Sequence, residues 1–107
     1  MAFKTVFNIT RKAKTTPYFG AWLATQPTSP QKTAFATLVK ARAAEGITET
    51  ATFSKDGLSQ VFVTDYGTQE IYDAFKAKYA TEIALVKEAR TAYEATAGVT
   101  RSFSIEK

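Results

Sequence analysis

A chain of 107 residues holds one domain around one hydrophobic core, and an apolar share of 45% is too high for a disordered polymer. It contains no Cys and no His, which excludes disulfides, thiolate nucleophiles, Cys-ligated metals and imidazole as base or ligand. The net charge of +4 is lopsided: residues 1–44 carry seven Lys/Arg and no acid, whereas residues 45–107 carry seven Lys/Arg and ten acids. Such asymmetry fits an anionic partner for the first half, or two halves that face each other.

Phe3–Arg11 alternates and predicts strand one. Phe3, Thr5, Phe7 and Ile9 share one face; Lys4, Val6, Asn8 and Thr10 share the other. The strand pattern of Met1–Thr10 does not read as a secretion leader, and no apolar run is long enough for a membrane span, so the expected setting is cytoplasmic with no membrane partner.

Residues 12–28 have no clear period. Thr16-Pro17 is placed to start a short helical turn. The segment holds Tyr18, Phe19, Trp22 and Leu23, preceded by Arg11, Lys12 and Lys14. These aromatics either plug one end of the core or form a lid over a pocket. The three cations are candidate anion-binding residues.

Ser29–Glu45 predicts a helix, capped by Thr28 or Ser29, with Pro30 in its first turn and Gly46 at its exit. Phe35, Leu38 and Arg42 mark its buried stripe, with the Arg42 stem packed and its head in water.

Ile47–Tyr66 predicts a β-hairpin around Asp56-Gly57, a dipeptide suited to a tight primed turn of two or three residues. In its first strand Ile47, Glu49, Ala51 and Phe53 face one way, and a Thr/Ser row faces the other. Val61-Phe62-Val63 is apolar on both sides, as a central strand would be. Glu49, a carboxylate among apolar groups, either acts as a base, is shifted off that face by a bulge, or pairs with Arg42 or Arg101.

Gly67–Ala97 is again helical, with Thr68 as cap and Ile71, Phe75, Val86, Ala89 and Tyr93 on one stripe. One rod of that length would reach about 44 Å at about 1.5 Å per residue. A strand of eight residues reaches only about 27 Å. A break near Tyr79–Glu82 resolves the mismatch. Val99–Lys107 alternates as a last strand, with Phe103 and Ile105 inward.

The order β-α-β-β-α-β predicts an α+β fold: a ferredoxin-like plait with a four-stranded antiparallel sheet and helices on one face. Strands one and three would be central. The rear face would expose Val6 with either Val61 and Val63 or Phe62 and Tyr66, a patch that marks an interface or groove.

Glu45-Gly46-Ile47, Phe53, Asp56-Gly57, Val61-Phe62-Val63, Tyr66 and Glu70 through Phe75 together resemble the dimeric α+β barrel proteins. In that group two ferredoxin-like subunits pack sheet against sheet, and its members include monooxygenases like those of antibiotic biosynthesis, haem-degrading enzymes and stress-responsive proteins. The resemblance covers residues 30–105. It implies a homodimer through the sheet face and a small apolar ligand in the dimer cleft of a binding or structural protein. As an alternative it implies a cofactor-independent oxygenase that orients a small aromatic substrate with Asn8, Trp22 and Tyr72. The haem-degrading branch uses a His that this chain lacks, so no such cofactor is expected. A third alternative is an anion-binding module built on Arg11, Lys12 and Lys14. Nucleic acid is not the expected partner, because the outward positions of strand one carry no aromatic for base stacking.

Overall fold

The structure, a computed structural model, describes residues 2–107. The elements run β1 Lys4–Thr10, α1 Phe19–Ala24, α2 Pro30–Ala44, β2 Thr48–Phe53, β3 Ser59–Asp65, α3 Gln69–Lys78, α4 Ala80–Ala97 and β4 Thr100–Glu106. The four strands form one sheet in the order β2-β3-β1-β4, and every neighbouring pair is antiparallel. β1 and β3 are therefore central, where their apolar alternation places them.

Register sorts the side chains into cross-strand rows. On the helix-facing side the rows are Glu49–Thr64–Thr5–Ile105, Ala51–Phe62–Phe7–Phe103 and Phe53–Gln60–Ile9–Arg101. On the rear side they include Thr50–Val63–Val6–Ser104 and Thr52–Val61–Asn8–Ser102. The rear apolar row is thus Val6, Val61 and Val63, set among hydroxyls, and Phe62 belongs to the other face; Val6, expected to be exposed there, is buried at 6%, so only Val61 and Val63 reach the surface. That row is smaller than a sheet core greasy on both sides.

Local chemistry sets the helix ends. The Ser29 Oγ accepts from the Lys32 N–H at 3.1 Å, and Pro30 opens α2. The Thr68 Oγ1 accepts from the Ile71 N–H at 3.2 Å, and Glu70 sits in the first turn of α3. The long helical pattern breaks at Tyr79, whose ring packs on Phe75 with centroids 4.7 Å apart. α4 ends at Gly98 with φ 72°.

Four expectations are corrected. The hairpin closes through Ser54, whose N–H donates to the Ser59 carbonyl at 2.9 Å, so four residues, 55–58, form the loop. Only Gly57 has positive φ there; the Gly57 N–H donates to the Ser54 carbonyl, and the turn is not a primed one. The Asp56 carboxylate accepts from the Ser54 hydroxyl and the Leu58 N–H, bonds that favour this wider loop. Second, the Arg42 head is not in water: it lies over the Phe75 ring at 5.6 Å, and its Nε is buried. Third, Phe103 and Ile105 face the helix side but stay exposed at 49% and 41%, because β4 is an edge strand with no neighbour beyond it. Ile71, placed on the buried stripe by its spacing, is likewise exposed.

The core lies between sheet and helices, around Phe3, Leu23, Leu38, Ile47, Tyr66 and Phe75. α1 is pinned to α4 by Trp22, which stacks on Tyr93 with centroids 4.3 Å and planes 20° apart. The Tyr93 hydroxyl donates to the Pro17 carbonyl at 2.6 Å and holds the approach to α1. Among the described residues no helix is long and apolar enough to cross a membrane.

Candidate functional site

The helices do not close fully onto the sheet. A cleft of about 530 Å³ lies between the two layers. Its floor is the alternating face of the central strands: Thr5, Phe7 and Ile9 from β1, and Gln60, Phe62 and Thr64 from β3. Its roof is the one face of α2 that repeats at three and four residues, Phe35, Leu38, Val39 and Arg42, with Val86 and Arg90 one turn apart on α4. Tyr18 to Ala21 close one end, and Glu49, Phe53 and Tyr66 flank the side towards β2. Period two in the strands and period 3.6 in the helices thus bring apolar side chains to both walls of the same space. Such a lining, with a few polar groups set into it, is the usual make-up of a small-molecule site.

The polar groups are unequal. Thr5 and Thr64 are buried and sit directly opposite one another on the floor. Arg42 meets Glu49 only loosely, at 3.8 Å, and its buried Nε has no hydrogen-bond partner among the described residues. Arg101 is held by Glu94 in a two-pronged pair of 2.7 to 3.1 Å and lies over the Phe7 ring at 4.8 Å. Arg90 lies over the same ring at 5.4 Å, and no carboxylate pairs with it among the described residues. Burial, and then the charge of Arg101, lower its pKa from the usual arginine value. Burial raises the Tyr66 phenol above its ordinary range, while the Arg42 charge pulls the other way.

The residues singled out from the sequence separate. Glu49 lines the cleft, beside Arg42 as its spacing allowed. Asn8 is exposed on the rear sheet face, between Val61 and Ser102. Trp22 is committed to Tyr93. Tyr72 packs between Phe3 and Tyr66 at 4.9 and 5.0 Å, with the Lys76 ammonium over its ring. Asn8, Trp22 and Tyr72 therefore do not converge on one substrate.

Nor do the three basic candidates act alike. The Arg11 Nε donates to the Gly57 carbonyl and its Nη1 to the Thr16 carbonyl, both at 2.9 Å, with Tyr18 under the guanidinium at 4.4 Å. Lys12 packs its stem beside Gly98, and Lys14 lies beside Gly57. Arg11 ties the hairpin loop to the segment before α1, with two of its five N–H donors bonded to backbone carbonyls.

Arg90, Phe7, Phe62, Thr5 and Thr64 are the cleft residues that sequence reasoning did not single out. For Arg90 a signal existed: it stands four residues after Val86 and three before Tyr93, a cation inside an apolar stripe. Among the described residues no group of three His, Cys, Asp or Glu side chains is placed to hold a metal ion. Compared with models of known protein families, with curated proteins and with solved structures, the chain matches none.

Proposed function

We propose that this protein binds a small aromatic or apolar molecule in the cleft between its helices and its sheet. We propose further that it is a ferredoxin-like plait that pairs back to back through Val61 and Val63. One observation carries the binding reading. A small domain gains stability by filling its core, yet here Phe7 and Phe62, at the centre of the sheet, face about 530 Å³ of open space. An unfilled apolar volume forgoes dispersion contacts that a ligand would restore. The cleft belongs to one subunit, so binding does not depend on pairing. The back-to-back pairing is supported by the strand order and by Val61 and Val63, which stay partly exposed on a hydroxyl-rich face.

The test uses 2-naphthamide, a flat neutral molecule that fits the volume. Titration followed by amide NMR is expected to shift residues on both walls, around Phe35, Leu38 and Phe62. Val39→Trp places an indole in the opening from an exposed position of α2, and is expected to weaken binding about tenfold with the helical signal unchanged. Shifts confined to the rear face, or none at all, would overturn the cleft. Sedimentation of the chain with and without Val63→Lys tests the pairing separately, and a monomer in both cases removes it.

A further inference from the structure

We propose that the molecule held in the cleft carries an acidic group, and that Arg90 is the residue that reads it. This rests on the cleft being the ligand site. The cleft and its border hold three guanidinium groups, Arg42, Arg90 and Arg101. Two have a carboxylate: Glu94 grips Arg101 at 2.7 Å, and Glu49 stands 3.8 Å from Arg42. Arg90 has none among the described residues, and one positive charge is left over. It is half-buried and faces the cleft across the Phe7 ring.

A cation withdrawn from water with no carboxylate in direct contact costs the fold free energy. The ring below Arg90 offsets only part of that cost, because a cation–π contact is weaker than a hydrogen-bonded ion pair. Surface lysines and arginines avoid the problem by snorkelling. Arg90 instead lies inward, close to the Arg101 guanidinium that repels it, and the Glu94 carboxylate, gripped by Arg101, offsets only part of that. An anion from the ligand removes both penalties together. A guanidinium presents its donors as a flat fork, which suits a carboxylate or a similar planar oxyanion. The rest of the ligand would lie along Phe62 and Leu38, with the Thr5 and Thr64 hydroxyls beneath it. The ligand class is therefore a small aromatic or aliphatic acid, with its charged end towards the β4 side of the cleft.

The experiment compares 2-naphthoate with 2-naphthamide, a pair matched in shape and differing in charge. With the wild-type chain at neutral pH and low salt, naphthoate is expected to bind about tenfold tighter or more. Arg90→Gln is expected to erase that preference, with naphthoate losing at least tenfold and naphthamide losing clearly less. Arg90→Lys, which keeps the charge and loses the fork, is expected to keep part of it. In the wild-type chain, naphthoate and not naphthamide should shift the Arg90 Nε–H resonance, a readout that needs no variant to fold. Equal affinities of the two probes would overturn the acidic ligand and leave the cleft reading intact. A preference that survives Arg90→Gln but falls with Arg42→Gln would overturn Arg90 as its reader. Failure of both probes to bind removes the cleft itself.

Discussion

Arg101 clasps Glu94 with two edges of its guanidinium, Nε to Oε1 at 3.0 Å and Nη2 to Oε2 at 2.7 Å. The two residues lie on either side of the turn from α4 into β4, and their side chains are only 16% and 9% exposed. A second bond, from the Val99 N–H to the Glu94 carbonyl, tightens the same turn. The pair thus sets where β4 starts, and it keeps Arg101 neutralised beside Arg90. Removing one partner leaves the other buried and uncompensated. Glu94→Ala is expected to destabilise the fold by about 3 kcal/mol, read from urea denaturation. Replacing both, Glu94→Leu with Arg101→Met, should cost clearly less than Glu94→Ala alone. Equal losses would show that the cost of Glu94→Ala is not that of leaving Arg101 unpaired.

Two tyrosines make the fold sensitive to base. Burial raises the phenols of Tyr66 and Tyr93 above their ordinary value near 10.0. In the unfolded chain both ionise at that ordinary value, while in the folded chain they resist. The folded state then binds more protons than the unfolded one, so stability falls as pH rises. The contribution is fully present below pH 10 and is lost as pH climbs through the raised values. Denaturation midpoints measured between pH 8 and 11 should fall more steeply for the wild-type chain than for Tyr66→Phe with Tyr93→Phe. Parallel slopes would show that neither phenol is linked to folding. At neutral pH Tyr93→Phe also loses the bond to the Pro17 carbonyl, a cost of about 1 kcal/mol.

Arg11 stood in the sequence as one of three candidate anion-binding cations, and the fold uses it as a staple. Its two backbone bonds join the loop at Gly57 to the chain at Thr16, and the Tyr18 hydroxyl donates to the same Gly57 carbonyl at 3.1 Å. Arg11→Ala is expected to cost about 2 kcal/mol, because a charged donor bonded to a carbonyl is worth more than a neutral one. Arg11→Lys should recover less than half, since one ammonium cannot span both carbonyls. If Arg11→Ala instead leaves the urea midpoint unchanged, the staple contributes nothing.

What the sequence made legible was direction. Alternation in Phe3–Arg11 told which side chains of β1 form the cleft floor, and three-to-four spacing told which face of α2 roofs it. The central places of β1 and β3 followed from apolar residues on both their sides. Separation between layers was not legible. Periodicity says which face is apolar and is silent on whether the opposite wall touches it, so it gave no sign of the space between α2 and the sheet. Partners distant in sequence were hidden for a related reason. Arg11 and Gly57 are 46 residues apart, and no local pattern marks that bond. The Asp56-Gly57 loop misled through its own chemistry: Ser54 offers a hydroxyl and a carbonyl that close a wider turn than the dipeptide alone implies.

Two glycines separate backbone need from habit. Gly98 has φ 72°, and a Cβ there would stand 3.3 Å from the Lys12 stem. The stem can move aside, but a left-handed backbone still disfavours an L side chain. Gly98→Ala is expected to cost about 1 kcal/mol. Gly20 sits in α1 with an ordinary helical backbone, and its Cβ would meet only the Phe35 ring edge, at 3.7 Å. Here alanine removes freedom from the unfolded chain and adds a normal contact, so Gly20→Ala should stabilise by about 0.5 kcal/mol or more. The two substitutions add the same methyl group and should move the thermal midpoint in opposite directions. A loss at Gly20 matching that at Gly98 would mean that α1 packs against α2 more tightly than the 3.7 Å approach allows.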